Sequence, residues 1–347
     1  MPACFLPVPK KALAFRRMKY IFGPVQSRRL GRSLGVDLLG KKICTLNCVY
    51  CEVGPTVCLT CERAEYAPGG EILAEVERFC RQAEQGRKLD VVTVTASGEP
   101  TLHQDFGRLL GEIKKIARRP VAVLTNSTTL PDPGVQTELQ VADIVVPSLD
   151  AARLPAFLRV DRPATCLDLE EIIEALVRFS REYTGQLWLE ILLVRGLNDS
   201  EEDIRALEET LSRMRIDRIQ LNTVARPPVE PFARPVSGRR LREVGDLLNK
   251  RTGEVPVDLL AVVSGQAECG NGDDRIAATR ADERQRVLEE IIQMLKRRPC
   301  TAAEIHRCFA AWGQNGIEQL LEPLVRDGTL QKQRHGDRIF YQHATTA

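Results

Sequence analysis

Three cysteines between residues 44 and 51 are the part of the sequence best suited to chemistry. Cys44, Cys48 and Cys51 form a C-x3-C-x2-C pattern. Thiolates are preferred ligands of iron-sulfur clusters, and spacing this tight lets one loop wrap around one cluster. Three cysteines leave one iron of a four-iron cluster without a protein ligand, and that iron can bind something else, as the open position of a catalytic zinc does. The pattern therefore predicts a [4Fe-4S] cluster with one open iron.

The other cysteines leave two alternatives open. Cys58 and Cys61 have a ligand-like C-x2-C spacing, so either one would complete a zinc site with the triplet. Together with Cys269 they would instead begin an auxiliary cluster, although the sequence shows no fourth ligand for it. The remaining cysteines stand in helical or capping contexts and are interpreted as small buried residues: Cys80, Cys166, Cys300 and Cys308.

Strands and helices alternate around the cysteine loop. Short apolar runs predict strands at residues 34–39, 91–95, 121–125, 144–149, 187–194 and 218–222. Apolar residues at i, i+3 and i+4 predict helices at residues 71–85, 104–117, 169–183 and 201–213. This alternation is typical of βα units and a parallel sheet. The cysteine loop follows the first strand, at the strand end where (β/α) barrels build active sites, and this position argues against a structural zinc.

The chain of 347 residues exceeds the roughly 250–300 residues at which a single core stops growing, so we expect more than one domain. Residues 1–17 are interpreted as an N-terminal extension, 18–264 as the core domain, 265–282 as a linker and 283–347 as a C-terminal domain. The C-terminal domain is predicted to be a winged helix-turn-helix. Its sequence indicates a helix at 283–297, an N-cap at Thr301 with Glu304 in the capping-box position, two more helices, and a hairpin turning at Gly336.

Charge and hydropathy limit the partners. Lys and Arg total 49 against 47 Asp and Glu, so no global field favours nucleic acid or an anionic membrane. No run approaches the ~18 apolar residues of a membrane span, and prolines interrupt residues 1–17 where a signal peptide needs an apolar stretch. The odd total of 11 cysteines suits metal ligation in a reducing compartment. We therefore expect a cytoplasmic protein without a membrane partner.

The predicted tail is a poor match for duplex DNA. Its helix in the recognition position, residues 317–327, carries Glu318 and Glu322 against Arg326 alone, whereas DNA affinity depends on Lys and Arg at the phosphates. The hairpin is more basic and offers a surface for RNA or an acidic protein, with Lys332, Arg334, His335 and Arg338. We expect the tail to dock a substrate or partner, or to cap the core domain.

The cysteine triplet, with Tyr50 before the third cysteine, resembles the motif of the radical S-adenosylmethionine (radical SAM) superfamily. Residues 23–37, GPVQSRRLGRSLGVD, are similar to a bacterial branch related to wyosine-type tRNA-modifying synthetases. The resemblance covers about residues 19–263 and implies an α/β fold, a partial (β/α)6 TIM-like barrel. It also implies that SAM binds the open iron, and that an external donor of the flavodoxin or ferredoxin type reduces the cluster. SAM cleavage would then give methionine and a 5′-deoxyadenosyl radical, which abstracts hydrogen from a substrate.

Residues at the predicted strand ends fit this resemblance. Gly98 and Glu99 follow the second strand within Ser97-Gly98-Glu99-Pro100, which resembles the family's GGE motif with Ser in first place. The glycine permits close backbone approach and the carboxylate would accept the SAM ammonium group, or else cap a helix. Asn126 and Ser148 end the next two strands and would contact SAM or simply form turns.

Polar residues also interrupt the last two strands. Gln220 and Asn222 share one strand face, so both are candidates for contacts with SAM or substrate. Glu190 either pairs with an internal arginine or serves the substrate. Before the first strand, Arg28, Arg29 and Arg32 would pair with Asp37 or face an anionic substrate.

Two functions of different classes remain. The first is an enzyme that generates the deoxyadenosyl radical and acts on an RNA base, a peptide or a metabolite. The second is an iron-sulfur sensor whose cluster controls nucleic-acid binding by the winged helix. Gly98, Glu99 and the polar strand ends favour the enzyme, because a sensor needs no SAM pocket.

Overall fold

The computed structural model describes residues 18–27, 29–83, 89–95, 97–253, 255–260, 281–309 and 312–344. The predicted extension at 1–17, Arg28 and residues 261–280 lie outside the described residues. The last range includes Cys269 and most of the predicted linker at 265–282.

The core domain alternates strands and helices. Its strands are β1 (Ile21–Ser27), β2 (Gly31–Asp37), β3 (Ile43–Cys44), β4 (Cys58–Leu59), β5 (Val91–Thr95), β6 (Val121–Thr125), β7 (Ile144–Pro147), β8 (Gln186–Leu193), β9 (Arg218–Thr223) and β10 (Val257–Leu259). Its helices are α1 (Gly69–Ala83), α2 (Phe106–Ala117), α3 (Pro133–Leu139), α4 (Leu154–Val160), α5 (Leu169–Glu182), α6 (Glu201–Leu211) and α7 (Gly238–Arg251).

In the described residues, eight strands form one sheet in the order β1-β2-β5-β6-β7-β8-β9-β10. Every neighbouring pair from β2 to β10 is parallel, and β1 pairs antiparallel with β2 at the edge. The mainly parallel α/β sheet confirms the predicted fold class, and β2 and β5 to β9 are the six predicted strands. The sequence patterns missed β1, in which Gly23 and Pro24 interrupt the apolar run; proline lacks a donor and is tolerated at a sheet edge.

The two faces of the sheet differ in chemistry. Apolar residues such as Val36, Val94 and Leu221 pack with the helices in one large core. The residues that alternate with them are polar in several strands, among them Thr93, Glu190 and Gln220. Because side chains alternate along a strand, this second set lies on the face opposite the helices. The sheet therefore carries a polar inner face beside the cysteine loop.

The C-terminal domain contains α8 (Ala281–Arg297), α9 (Ala302–Cys308), α10 (Gly313–Arg326), β11 (Leu330–His335) and β12 (Arg338–His343). The capping box between Thr301 and Glu304 forms as predicted, and the hairpin turns at Gly336. Three helices and a hairpin follow in the expected order, while assignment to the winged-helix class stays a prediction. The apolar core of this domain extends to Val25 of β1, so the domain packs directly on the sheet edge.

Candidate cluster and cofactor site

The cysteine loop is held by backbone hydrogen bonds from several elements. Cys44 ends β3, and the preceding carbonyl of Ile43 accepts from the amide of Glu99 at 3.0 Å. The amide of Asn47 donates to the Asp161 carbonyl at 3.0 Å, and that of Val49 to the Val160 carbonyl at 2.9 Å. The loop that carries the three thiols is therefore fixed between the end of β5 and the end of α4.

Lys42 lies among the three thiols. Its Nζ donates to Cys51 Sγ at 3.1 Å. Burial alone would lower the pKa of Lys42, but the negative charge available at Cys51 and Cys44 outweighs burial and raises it. Burial raises the pKa of the Cys44 thiol and that of the Cys48 thiol. The nearby Asp161 carboxylate raises the pKa of Cys48 as well. A cation beside one buried and two half-buried thiols suits a group that is negatively charged overall once the thiols are bound as thiolates.

The three thiols of the cysteine loop have the donor chemistry of iron-sulfur ligands. Among the described residues, no three His, Cys, Asp or Glu side chains are grouped so that they could hold a single metal ion. A zinc ligand set must converge on one point, whereas the thiolates of an iron-sulfur cluster each bind a different iron. The assignment of Cys44, Cys48 and Cys51 as cluster ligands and the zinc alternative therefore both stay predictions.

Gly98 lies against the backbone of the cysteine loop. A Cβ atom placed on this residue would be 1.6 Å from the carbonyl oxygen and 2.4 Å from the carbonyl carbon of Ile43. Only glycine permits this approach. The sequence motif predicted that the glycine brings backbone close to a cofactor, and in the structure it brings β5 close to the residue that precedes Cys44.

Glu99 is buried and strongly hydrogen bonded. Its Oε1 accepts from the amide and hydroxyl of Thr101 at 3.2 and 2.7 Å and from Thr125 Oγ1 at 2.8 Å. Its Oε2 accepts from the amide of Asn126 at 2.6 Å. Burial raises the pKa of Glu99, and these hydrogen bonds oppose that effect. The capping role considered for Glu99 is thus present, and Oε2 retains acceptor capacity for a ligand.

Asn126 joins this carboxylate to the cluster loop. Its Nδ2 donates to Thr45 Oγ1 at 2.8 Å and lies 3.4 Å from Cys44 Sγ. Ser148 follows β7, and its carbonyl accepts from the Ser127 hydroxyl at 2.7 Å. The structure therefore brings Asn126 to Cys44 and places Ser148 one strand further along the same edge.

A second group of polar side chains contains Tyr50, the aromatic residue before the third cysteine. Tyr50 donates to Asp150, and Asp161 accepts from Cys48 Sγ at 3.5 Å. Burial raises the pKa of Asp150 to about 7, although hydrogen bonds from Tyr50 and the Leu192 amide oppose it. A pocket beside the cysteine loop is lined by residues from both groups, including Tyr50, Asn126, Ser148, Asp150 and Asp161.

Glu190 forms the internal ion pair that was one of its two alternatives. Its Oε2 accepts from Arg29 at 2.6 Å, and the same guanidinium donates to Gln220 Oε1 at 2.8 Å. Asn222 Nδ2 lies 3.4 Å from Glu190 Oε1. Asn222 therefore belongs to this ion-pair group and does not line the pocket that contains Tyr50. Asp37, which the sequence offered as a partner of the nearby arginines, binds Ser97 and Arg297. Of the described arginines, Arg29 pairs with Glu190 and Arg32 with Asp90.

The cysteines outside the triplet follow the sequence interpretation only in part. Cys300 is buried as expected, whereas Cys80 and Cys308 are half-buried. Cys61 and Cys166 are paired as a disulfide across 105 residues of sequence, and Cys166 is exposed. The interpretation of Cys166 as a small buried residue was therefore wrong, because it lies in a surface loop between α4 and α5. Lys42 and Asp161 were missed as neighbours of the cluster loop. The position of Lys42, two residues before Cys44, was a usable signal, whereas nothing near Asp161 indicated its contact with Cys48.

Comparisons with known proteins place the chain in a family. A model described as the Radical SAM superfamily matches residues 41–207, the segment that holds the cysteine loop and the strands around it. A UPF0026 protein of Synechocystis sp. is 35% identical over 247 residues, which are 71% of this chain and 88% of that protein. The chain belongs to the UPF0026 family and carries a radical SAM domain. It is thus an enzyme of the radical SAM type, a class whose cofactors are a [4Fe-4S] cluster and SAM.

Two further similarities differ in extent. A protein of Brachyspira hyodysenteriae named GTPase Obg is 30% identical over 317 residues, which are 91% of this chain but 44% of that protein, so the chain spans less than half of that relative. The crystal structure of a radical SAM methyltransferase from Sphaerobacter thermophilus aligns with a TM-score of 0.52, at 21% identity over 65% of each chain, and supports the fold. Among the described residues, no helix is long and apolar enough to cross a membrane.

Proposed function

We propose that Cys44, Cys48 and Cys51 ligate the [4Fe-4S] cluster and that the enzyme uses it to cleave SAM reductively. The observation that carries this proposal is the fixed loop with three thiols around the half-buried Lys42, whose Nζ lies 3.1 Å from Cys51 Sγ. When bound, the cluster and SAM supply methionine and a 5′-deoxyadenosyl radical, which takes a hydrogen atom from the substrate. The residues of this chain orient both cofactors and exclude water around them.

Glu99 and Asn126 are the residues we assign to cofactor orientation. Four internal hydrogen bonds fix the Glu99 carboxylate, and its Oε2 retains capacity to accept the SAM ammonium group. The Asn126 amide lies 3.4 Å from Cys44 Sγ, and hydrogen bonds to cluster sulfurs influence the reduction potential.

The pocket beside the loop is our candidate for the remaining SAM contacts. It contains three residues predicted from the sequence, Tyr50, Ser148 and Asn126. Asn222 is proposed as a contact to the substrate side of the site, because it lies with Glu190 on the inner face of the sheet. The electron donor is proposed to be an external protein of the flavodoxin or ferredoxin type. For the substrate, an RNA base, a peptide and a metabolite remain the candidates.

Iron analysis tests the ligand assignment. Anaerobically reconstituted protein should hold about four irons per chain, as expected for one [4Fe-4S] cluster. Replacing Cys44, Cys48 and Cys51 together by Ala should abolish iron binding. Replacing the exposed Cys58 by Ala is the matched control and should leave the iron content unchanged. Stoichiometric zinc without iron after anaerobic isolation would contradict the proposal.

A further inference from the structure

The C-terminal domain contacts the core close to the cluster loop. Val25 of β1 is buried in the apolar core of the C-terminal domain, and Phe22 packs against the same core. His335 of β11 lies 3.0 Å from the Val224 carbonyl, just after β9. The linker predicted from sequence suggested a loosely tethered tail, but these contacts join the domain to β1 at one edge of the sheet and to the segment after β9.

Arg226 connects the C-terminal domain to the residue after the third cluster cysteine. It is 9% exposed. Its Nε lies 2.9 Å from an oxygen of Glu52, and its two terminal nitrogens lie 2.6 and 3.1 Å from the Glu304 carboxylate. It also donates to the Pro299 carbonyl. One buried guanidinium therefore binds a carboxylate next to Cys51 and a carboxylate at the N-terminus of α9.

The segment that follows Arg226 also covers the cysteine loop. The amide of Val229 donates to the Cys51 carbonyl at 3.1 Å, and that of Glu230 donates to the Val49 carbonyl at 3.1 Å. Displacement of Arg226 would therefore be transmitted to the loop through backbone as well as through Glu52. The hydrogen bonds and ion pairs of the Arg226 guanidinium go to Glu52, Pro299 and Glu304, so its influence on the cluster is indirect.

A second buried arginine repeats the connection at the other end of the loop. Arg297, at the end of α8, lies 3.5 Å from Asp37 Oδ2. Asp37 accepts from the amides of Leu39 and Gly40 at 3.0 and 3.1 Å and from Ser97 Oγ at 2.7 Å. The turn that leads into the cysteine loop is thus held by a residue that the C-terminal domain contacts.

We propose that Arg226 is a positioning residue for the cluster loop, and that the C-terminal domain controls the stability of the cluster through the Glu304–Arg226–Glu52 chain. This inference rests on the proposed function, because it assumes a cluster on Cys51. A buried guanidinium that keeps only one of its two carboxylate partners destabilises the folded protein. Losing groups that orient metal ligands typically weakens metal binding 10–100-fold. A partner that binds the C-terminal domain would act on the cluster by the same route.

The test measures how fast the reconstituted full-length protein loses iron to a ferrous chelator without oxygen. Glu304→Gln keeps the capping box, since glutamine also serves at that position, but removes the charge that binds Arg226. We expect iron loss about tenfold faster than in the unmodified protein, and a changed electron paramagnetic resonance spectrum of the reduced cluster. Arg226→Met should give an effect at least as large, which Arg226→Lys partly restores.

Two further variants separate coupling from general destabilisation. Arg215→Met is the matched control, because Arg215 also binds one carboxylate, Asp217, and two backbone carbonyls, those of Tyr183 and Gly185. It should lower the melting temperature without changing iron loss. The double variant Glu304→Gln/Arg226→Met should lose iron no faster than Arg226→Met alone, because both changes break one chain of contacts.

The outcomes distinguish this inference from the proposed function. If the increases in the rate of iron loss multiply in the double variant, or if Glu304→Gln retains iron normally, the coupling is overturned while the cluster assignment stays intact. If Arg226→Met does not fold, comparison of Glu304→Gln with Glu52→Gln carries the same test, since both remove a carboxylate from Arg226. Failure of the unmodified protein to take up any iron would overturn both proposals.

Discussion

Replacing Gly98 by Ala should displace the cluster loop, although the change adds only one methyl group. The new Cβ would lie 1.6 Å from the carbonyl oxygen of Ile43, a distance at which one backbone must retreat. The amide of Glu99 donates to that same carbonyl at 3.0 Å, so the retreat also weakens this bond. Overpacking costs about 1–3 kcal/mol and a lost hydrogen bond about 0.5–1.5 kcal/mol. We expect a destabilisation of about 1.5–4.5 kcal/mol from these two contributions, and loss of most of the iron.

Urea denaturation of the cluster-free protein measures the first effect, and iron content after anaerobic reconstitution measures the second. Gly111→Ala is the matched control, because Gly111 lies within α2 and an added Cβ meets nothing within 4 Å. That variant should be stabilised by roughly 0.5–1 kcal/mol, since alanine is the better helix former, and should bind iron normally. Equal stability and equal iron content in Gly98→Ala and Gly111→Ala would refute the reasoning. Normal iron with lost SAM binding would instead assign Gly98 to SAM contact.

Three further predictions concern single groups. Glu99→Ala should keep the cluster but weaken SAM binding ten- to a hundredfold, because a charge-assisted hydrogen bond contributes about 1.5–3 kcal/mol. Equilibrium dialysis measures this affinity, and an unchanged value would leave Glu99 with its capping role alone. Burial alone would raise the pKa of Glu304, but Arg226 and the hydrogen bonds outweigh it and lower the pKa to about 2 from the ordinary 4.5. Because the pKa of Glu304 is lower in the folded than in the unfolded protein, its ionisation stabilises the fold at a pH above the unfolded-state pKa. The contribution should be on the order of 3 kcal/mol at pH 7 and should be lost as the pH falls from about 5 to 2. In urea denaturation of the cluster-free protein, Glu304→Gln should flatten the dependence of stability on pH across that window, and an unchanged profile would contradict this. Cys61→Ser combined with Cys166→Ser should leave the iron content unchanged, whereas eight irons per chain, halved by this change, would reveal an auxiliary cluster.

The fold was predictable where hydrophobic periodicity was strong. Strands β5 and β6 begin and end where the apolar runs predicted them, because each is a short run buried by helices. Helices α3 and α4 were missed, since each has seven residues and two turns are too few to show a 3.6-residue period. Strand β1 was missed because its stability comes from pairing with β2 and from the C-terminal domain that packs on it.

The site was predictable where its residues are neighbours in sequence. The cysteine triplet and Gly98 with Glu99 are local motifs whose spacing carries the chemistry. The contacts that fix them are not local: Arg29 pairs with Glu190 across 161 residues, and Arg226 reaches Glu304 across 78. Such pairs depend on how the strands are ordered and on where the C-terminal domain docks, and no periodicity in the sequence reports either.

The most direct test of the central claim is whether the reduced enzyme cleaves SAM. The anaerobically reconstituted full-length protein is mixed with SAM and dithionite, and 5′-deoxyadenosine and methionine are quantified by chromatography. We predict that both products form in equal amounts, and that the variant with Ala at Cys44, Cys48 and Cys51 forms neither. A protein that holds its four-iron cluster, is reduced by dithionite and binds SAM, yet produces no 5′-deoxyadenosine, would contradict the account.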